Sequence, residues 1–205
     1  MSAIAAHGSS PTPPTGTNFD PLPYRAFLAA AMKYAAFGWR ILPGPVCDGI
    51  ANWHPVSTRP LGVNETTVPR ESATADQRIV ETWWNRYPQG ILAPVGESFD
   101  VLRVSTPLAS QAAAILETRH LGPVALAPSG GYFFVEQGAV LAPELGKIRG
   151  IELMPPNSVV ALPPTRVRGG VVSWWISPLR SNGRLGNMNV IQDALRDSMP
   201  RRAVQ

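Results

Sequence analysis

The chain has 205 residues, 44% hydrophobic and 16% charged, which favours one globular domain with its own core. No apolar run approaches the roughly 20 residues that a membrane-spanning helix requires, so we expect no membrane segment. The formal net charge of +4 permits a nucleic-acid partner without requiring one.

The first part of the chain predicts two helices with a long connection between them. Apolar residues at helical spacing predict a helix over about 20–37, and Trp39–Leu42 follows as a short strand. Residues 43–72 are rich in Pro, Gly and Asn, which favours a long irregular loop. Thr74 and Gln77 then match a T-x-x-Q capping box at the start of a second helix.

The rest of the chain predicts mainly strands. Thr106 followed by proline is typical of a helix start, with Thr106 as the cap and the proline in the first turn, and that helix is expected to end near Gly122. Strands are predicted at 91–95, 99–104, 124–127, 132–135, 150–153, 158–162 and 171–176, and a last helix at 189–199. This order predicts an α+β fold, a mixed β-sheet with covering helices.

The predicted domain covers residues 20–180. A Pro-, Ser- and Gly-rich flexible tail is expected at 1–19, and a C-terminal helix and tail at 181–205. Cys47 is the only cysteine, which excludes an internal disulfide and leads us to expect a reducing, cytoplasmic location.

Five segments in chain order share features with one known family. They are AAMKYAAFGWRILPGP at 30–45, the Trp-Trp helix and strand of 73–96, FDVLRVS at 99–105, APSGGYFFV at 127–135 and GIELMPPNSVVALPPT at 150–165. Together they resemble the N-terminal domain of bifunctional DNA primase/polymerases, a branch of the archaeo-eukaryotic primase superfamily. The resemblance implies a single primase/polymerase-like domain with DNA or a nucleotide as its partner.

The resemblance also implies a site for divalent metal ions, and here the sequence departs from the family. The family carries an acid-x-acid pair in the strand at 99–105, where alternate side chains aim two carboxylates at one ion. The corresponding positions here are Arg103 and Ser105, and the third acidic position corresponds to Glu152. A guanidinium repels a metal ion and a hydroxyl is a weak ligand. We therefore expect no catalytic residue, no bound metal and no cofactor.

Other candidate residues come from the two later segments. The glycine-rich turn either cradles a phosphate through backbone N–H groups or is a plain turn between strands. The histidine that usually follows it in the family is replaced by Phe133 or its neighbour Tyr132. The candidates from these segments are Ser129, Gly130, Gly131, Phe133 and Thr165.

Two interpretations of Arg103 remain open. It either pairs with Glu152 and fills the former metal site, or it stays free and holds a phosphate. If the pair is buried, removing one partner is expected to cost about 3–5 kcal/mol, because the other charge is left without a partner away from water.

Basic and aromatic residues outside this site also have two interpretations each. Arg149, Arg166 and Arg168 form either a nucleic-acid-binding rim or a solvated loop face. Trp83, Trp84, Trp174 and Trp175 are expected to serve the core rather than to stack on bases. Cys47, Asp48 and His54 lack the paired spacing of a zinc site.

The leading hypothesis is a catalytically degenerate primase/polymerase-like domain, related to replication, that binds nucleic acid, a nucleotide or a protein partner. One alternative is a protein–protein adaptor without nucleotide affinity. The other is an active primase/polymerase with unusual metal ligands. Salt-dependent DNA binding distinguishes the leading hypothesis from the adaptor, and primer extension would identify the enzyme.

Overall fold

The computed structural model of the chain describes residues 21–62, 65–119 and 122–199. The tail predicted at 1–19 and the last residues of the predicted C-terminal tail lie outside these ranges. The helices in the described ranges are α1 (Pro21–Ala36), α2 (Gln77–Trp84), α3 (Thr106–Arg119), α4 (Pro143–Gly146) and α5 (Met188–Ser198), with a short 3-10 helix at Arg70–Ser72. None of these helices is long and apolar enough to cross a membrane.

The strands confirm the predicted α+β fold, and every ladder between them is antiparallel in the described ranges. They are β1 (Leu42–Pro43), β2 (Val46–Cys47), β3 (Asn52–Trp53), β4 (Pro60–Leu61), β5 (Ile91–Pro94), β6 (Asp100–Val104), β7 (Val124–Ala127), β8 (Gly130–Val135), β9 (Ile151–Leu153), β10 (Val159–Leu162), β11 (Arg166–Val167), β12 (Gly170–Val171) and β13 (Ser173–Ile176).

A five-stranded sheet in the order β13-β7-β8-β6-β9 forms the centre of the molecule. One face is covered by α3 and α5, which pack on buried residues such as Leu102 and Phe133. The other face carries Val101 and Phe134 and packs against α1, α2 and the second sheet, β1-β5-β10. Because side chains alternate along β6 and β8, these two strands contribute buried residues to the hydrophobic cores on both faces of the sheet.

An aromatic cluster around Trp39 joins α1 to the central sheet. Gly38 ends the helix with φ +77, a conformation that favours glycine. Trp39 then turns inward, where it is only 3% exposed. Its ring stacks on Tyr34 and Phe134 at centroid distances of 5.6 and 5.7 Å and meets Phe99 edge-on at 4.9 Å. The Gly-Trp pair is thus a core element.

Two predicted helix starts differ from the structure. The capping box is wrong, because α2 begins after Asp76, whose carboxylate accepts a hydrogen bond from the Arg78 N–H at 2.8 Å. Thr74 Oγ1 instead accepts from the Asp76 N–H. In α3 the residue that precedes the helix is Ser105, whose carbonyl accepts from Ala109. Each start is displaced by one or two residues.

The segment predicted as an irregular loop contains a small sheet. Strands β2, β3 and β4 pair in that order, and we call residues 46–61 the arm. Asp48 closes its first turn by accepting hydrogen bonds from the N–H groups of Ile50 and Ala51 and from Trp53 Nε1. The Ala51 N–H makes the largest contribution to a lowered pKa of Asp48, and the Trp53 and Ile50 bonds add to it. Strands of two residues leave too little alternation to be recognised from sequence.

Candidate functional site

One row of side chains crosses all five strands of the central sheet and contains two of the three positions, Arg103 and Glu152, that the resemblance assigns to the family's metal site. Register partners in adjacent strands share a face. The row consists of Trp174, Ala125, Tyr132, Arg103 and Glu152. The two residues expected to face one another, Arg103 and Glu152, are therefore direct cross-strand neighbours.

Arg103 and Glu152 form an ion pair, with 2.5 Å between Arg103 Nη2 and Glu152 Oε2. The pair is not buried, because each side chain is 48% exposed, so the condition for a cost of about 3–5 kcal/mol is not met. The reason is topological: Glu152 lies on β9, the edge strand of the sheet. A divalent ion does not fit this arrangement, since a guanidinium occupies one ligand position and binds the carboxylate that would serve as another.

Exposure changes the expected cost of breaking the pair. Solvent-exposed ion pairs contribute about 0–1 kcal/mol, because water and salt screen both charges. We therefore expect Glu152→Ala to lower the free energy of unfolding by less than about 1 kcal/mol, as measured by urea denaturation. Glu152→Gln is the matched control, because it keeps the shape of the side chain and removes only the charge. A loss of several kcal/mol in either variant would show that the pair is desolvated in solution.

The residues around the pair divide between the two faces of the sheet. Ser105 is half-buried beside the start of β9, and its N–H donates to Gly150 O at 2.7 Å. Phe133 is fully buried on the opposite face, against α3 and α5. It therefore does not share the face of Arg103. Tyr132, its neighbour on β8, takes that place.

The Ser-Gly-Gly segment spans the end of the turn between β7 and β8 and the first two residues of β8. Ala127 pairs with Gly130 across a two-residue turn. A Cβ at Gly130 would lie 2.6 Å from Val104 O, and one at Gly131 would overlap the Ala109 side chain of α3. Close packing thus accounts for both glycines without a phosphate. Ser129 retains a polar role, because its Oγ lies 2.9 Å from the Tyr132 hydroxyl.

Ser129 and Tyr132 also line a cleft of about 430 Å³, which lies between the central sheet, β10, the arm and the β11–β12 hairpin. Among the described residues, the charged ones that line it are Arg166 and Arg168, and no carboxylate does so. Both arginines are exposed, and neither side chain has an ion-pair partner among the described residues. Arg149 is exposed on the loop before β9 and does not line the cleft.

Thr165 holds the arginine-bearing hairpin in place. Its side chain is 2% exposed, and its hydroxyl accepts from the Ile91 N–H at 2.8 Å and donates to Ile91 O at 3.2 Å. Gly169 N also donates to Gly49 O of the arm at 2.9 Å. The hydroxyl of Thr165 thus makes one accepted and one donated hydrogen bond with the backbone of Ile91, which gives it a structural role.

The tryptophans pack as predicted in three of four cases. Trp84 is fully buried, and its Nε1 donates to Gln89 O at 2.9 Å. Trp83 and Trp174 are partly buried against the same core. Trp175 is 38% exposed and donates to Glu117 at 3.3 Å.

The sequence predicted only some of the residues that line this cleft. Its arginines were identified as candidates, but Tyr132 and the arm residue Ile50 were not assigned to it. The arm provides one wall, and its strands carry almost no sequence signal. In the described ranges, no three His, Cys, Asp or Glu side chains are grouped closely enough to hold a metal ion.

Comparison with known proteins identifies one matching family. The family model for the bifunctional DNA primase/polymerase N-terminal domain matches residues 31–185, a range that contains the central sheet, the ion pair and the cleft. Neither the curated proteins nor the solved structures give a significant match. Because the family model covers most of the chain, this protein belongs to the bifunctional DNA primase/polymerase N-terminal domain family.

Proposed function

We propose that this family member has lost nucleotidyl transfer and acts as a non-catalytic module that binds nucleic acid. The observation that carries the proposal is the Arg103–Glu152 ion pair at the former metal site. A role related to replication and a cytoplasmic location belong to the same proposal.

The chemical argument concerns charge. Nucleotidyl transfer relies on divalent ions that neutralise the triphosphate and align the attacking and leaving oxygens. Such ions require several oxygen ligands, usually carboxylates. At this site the three positions are a guanidinium, a hydroxyl and one carboxylate that the guanidinium already binds. The arrangement does not support metal binding, and Glu152 already neutralises the charge of Arg103.

The cleft supports nucleic acid as the ligand. Its charged lining is basic, and Arg166 and Arg168 have no carboxylate to neutralise them among the described residues. Unpaired arginines beside an apolar wall suit a ligand that carries both phosphates and bases.

Primer synthesis and extension assays test the loss of catalysis. We expect no product with any NTP or dNTP in magnesium or manganese, with a catalytically active primase/polymerase as the positive control. Template-dependent product that disappears in Glu152→Ala would show that the site is active after all.

DNA binding tests the second half of the proposal. We expect affinity for DNA that falls as salt rises, because bound phosphates release counterions. A protein with neither product nor salt-dependent DNA binding would instead be an adaptor.

A further inference from the structure

We infer that the cleft binds an unpaired nucleotide unit of a single-stranded nucleic acid, with Arg166 and Arg168 on its phosphates and without a metal ion. This inference rests on the proposed function and specifies its ligand. It follows from the charge, the apolar wall and the rigidity of the cleft.

The first argument is the charge of the lining. Arg166 and Arg168 lie on or next to β11, and both are exposed. Because no carboxylate in the described part of the chain lines the cleft, their guanidinium groups remain available for an anion. Guanidinium groups bind phosphate oxygens through paired N–H donors, so they can neutralise a phosphodiester directly. A metal ion is not needed for this contact.

The second argument is the apolar wall. Leu61 of the arm and Val172 line the interior, and Ile50 at the arm's first turn also lines it while remaining 76% exposed. Tyr132 also lines the cleft. Apolar and aromatic surfaces contact the faces of bases, which a duplex keeps stacked inside itself. A cleft of about 430 Å³ therefore accommodates an unpaired base with its sugar.

The third argument is that both sides of the cleft are fixed to each other. The Gly169–Gly49 hydrogen bond joins the hairpin to the arm. A Cβ at Gly49 would lie 3.6 Å from the Arg166 guanidinium, so this side chain rests against the arm. Thr165 anchors the base of the hairpin to β5 through Ile91. The hairpin that carries the two arginines is thus fixed to the arm and to β5 before a ligand arrives.

The test is fluorescence anisotropy with a dye-labelled oligothymidine of about 10 nucleotides, measured in chelator. We expect Arg166→Ala with Arg168→Ala to raise the Kd by about tenfold or more. The slope of log K against log salt should become shallower by about 1.4, because two phosphate contacts are lost on a single strand. Neither arginine has an ion-pair partner among the described residues, so the melting temperature should not change.

The matched control is Arg78→Ala with Arg86→Ala. It removes the same charge from two exposed arginines of the α2 region that do not line the cleft. We expect this control to bind with nearly the Kd of the unmodified protein. Ile50→Ser should weaken binding while leaving the salt slope unchanged, because it alters the wall and not the charge.

The outcomes separate this inference from the proposed function. If the two double variants lose affinity equally, DNA binds elsewhere, and the inference fails while the proposed function stands. Equal competition by a duplex contradicts the unpaired ligand, and binding that requires magnesium contradicts metal independence. If the unmodified protein binds no nucleic acid under any condition, the proposed function fails as well.

Discussion

Replacing Arg103 and Ser105 by aspartates is expected to create a divalent-metal affinity that the unmodified protein lacks. Arg103 lies on β6, Ser105 follows the last residue of that strand, and Glu152 is the cross-strand neighbour of Arg103. The substitutions would place three carboxylates near one another at the edge of the sheet, in the pattern that hard cations prefer. In chelator their mutual repulsion should lower the melting temperature.

Thermal unfolding with and without millimolar manganese measures this effect. Metal at about 100 times its Kd stabilises the native state by about 2.7 kcal/mol, which raises the melting temperature by several degrees. We expect this rise in the aspartate variant and no shift in the unmodified protein. Arg103→Asn with Ser105→Asn is the control, because it has similar shape and no added charge. A chelator-sensitive rise in the unmodified protein would overturn our description of the site.

The largest loss of stability is expected from Trp39→Ala. Trp39 contacts rings from α1, β8 and β13 and the ring of Phe99, which precedes β6, so its removal leaves a cavity where α1 packs on the central sheet. Truncation of a buried aromatic side chain typically costs about 3–5 kcal/mol. Urea denaturation should show this loss as a lower transition midpoint.

Trp175→Ala is the matched control for that experiment. It deletes the same side chain from a site that is 38% exposed, so the cavity term is small. We expect a loss well below that of Trp39→Ala, because surface substitutions usually change stability by about 0.5 kcal/mol or less. Equal losses in the two variants would mean that the aromatic cluster is not the centre of the core.

The sequence predicted the helices and strands that are marked by a repeating pattern of apolar residues along the chain. Helix α1, strands β5 and β6 and the last helix appear within about two residues of the predicted ranges, because their patterns repeat along the chain itself. The family resemblance also predicts that Arg103 and Ser105 replace the family's acid pair, and this stays a prediction.

The tertiary structure determined what depends on contacts distant in sequence. Arg103 and Glu152 are 49 residues apart, and only the position of β9 at the sheet edge shows that their pair is exposed. The choice of Tyr132 over Phe133 follows from the β6–β8 register, in which a shift of one residue exchanges the faces. The cleft likewise exists only because the arm, whose two-residue strands carry no periodic signal, folds against the arginine hairpin.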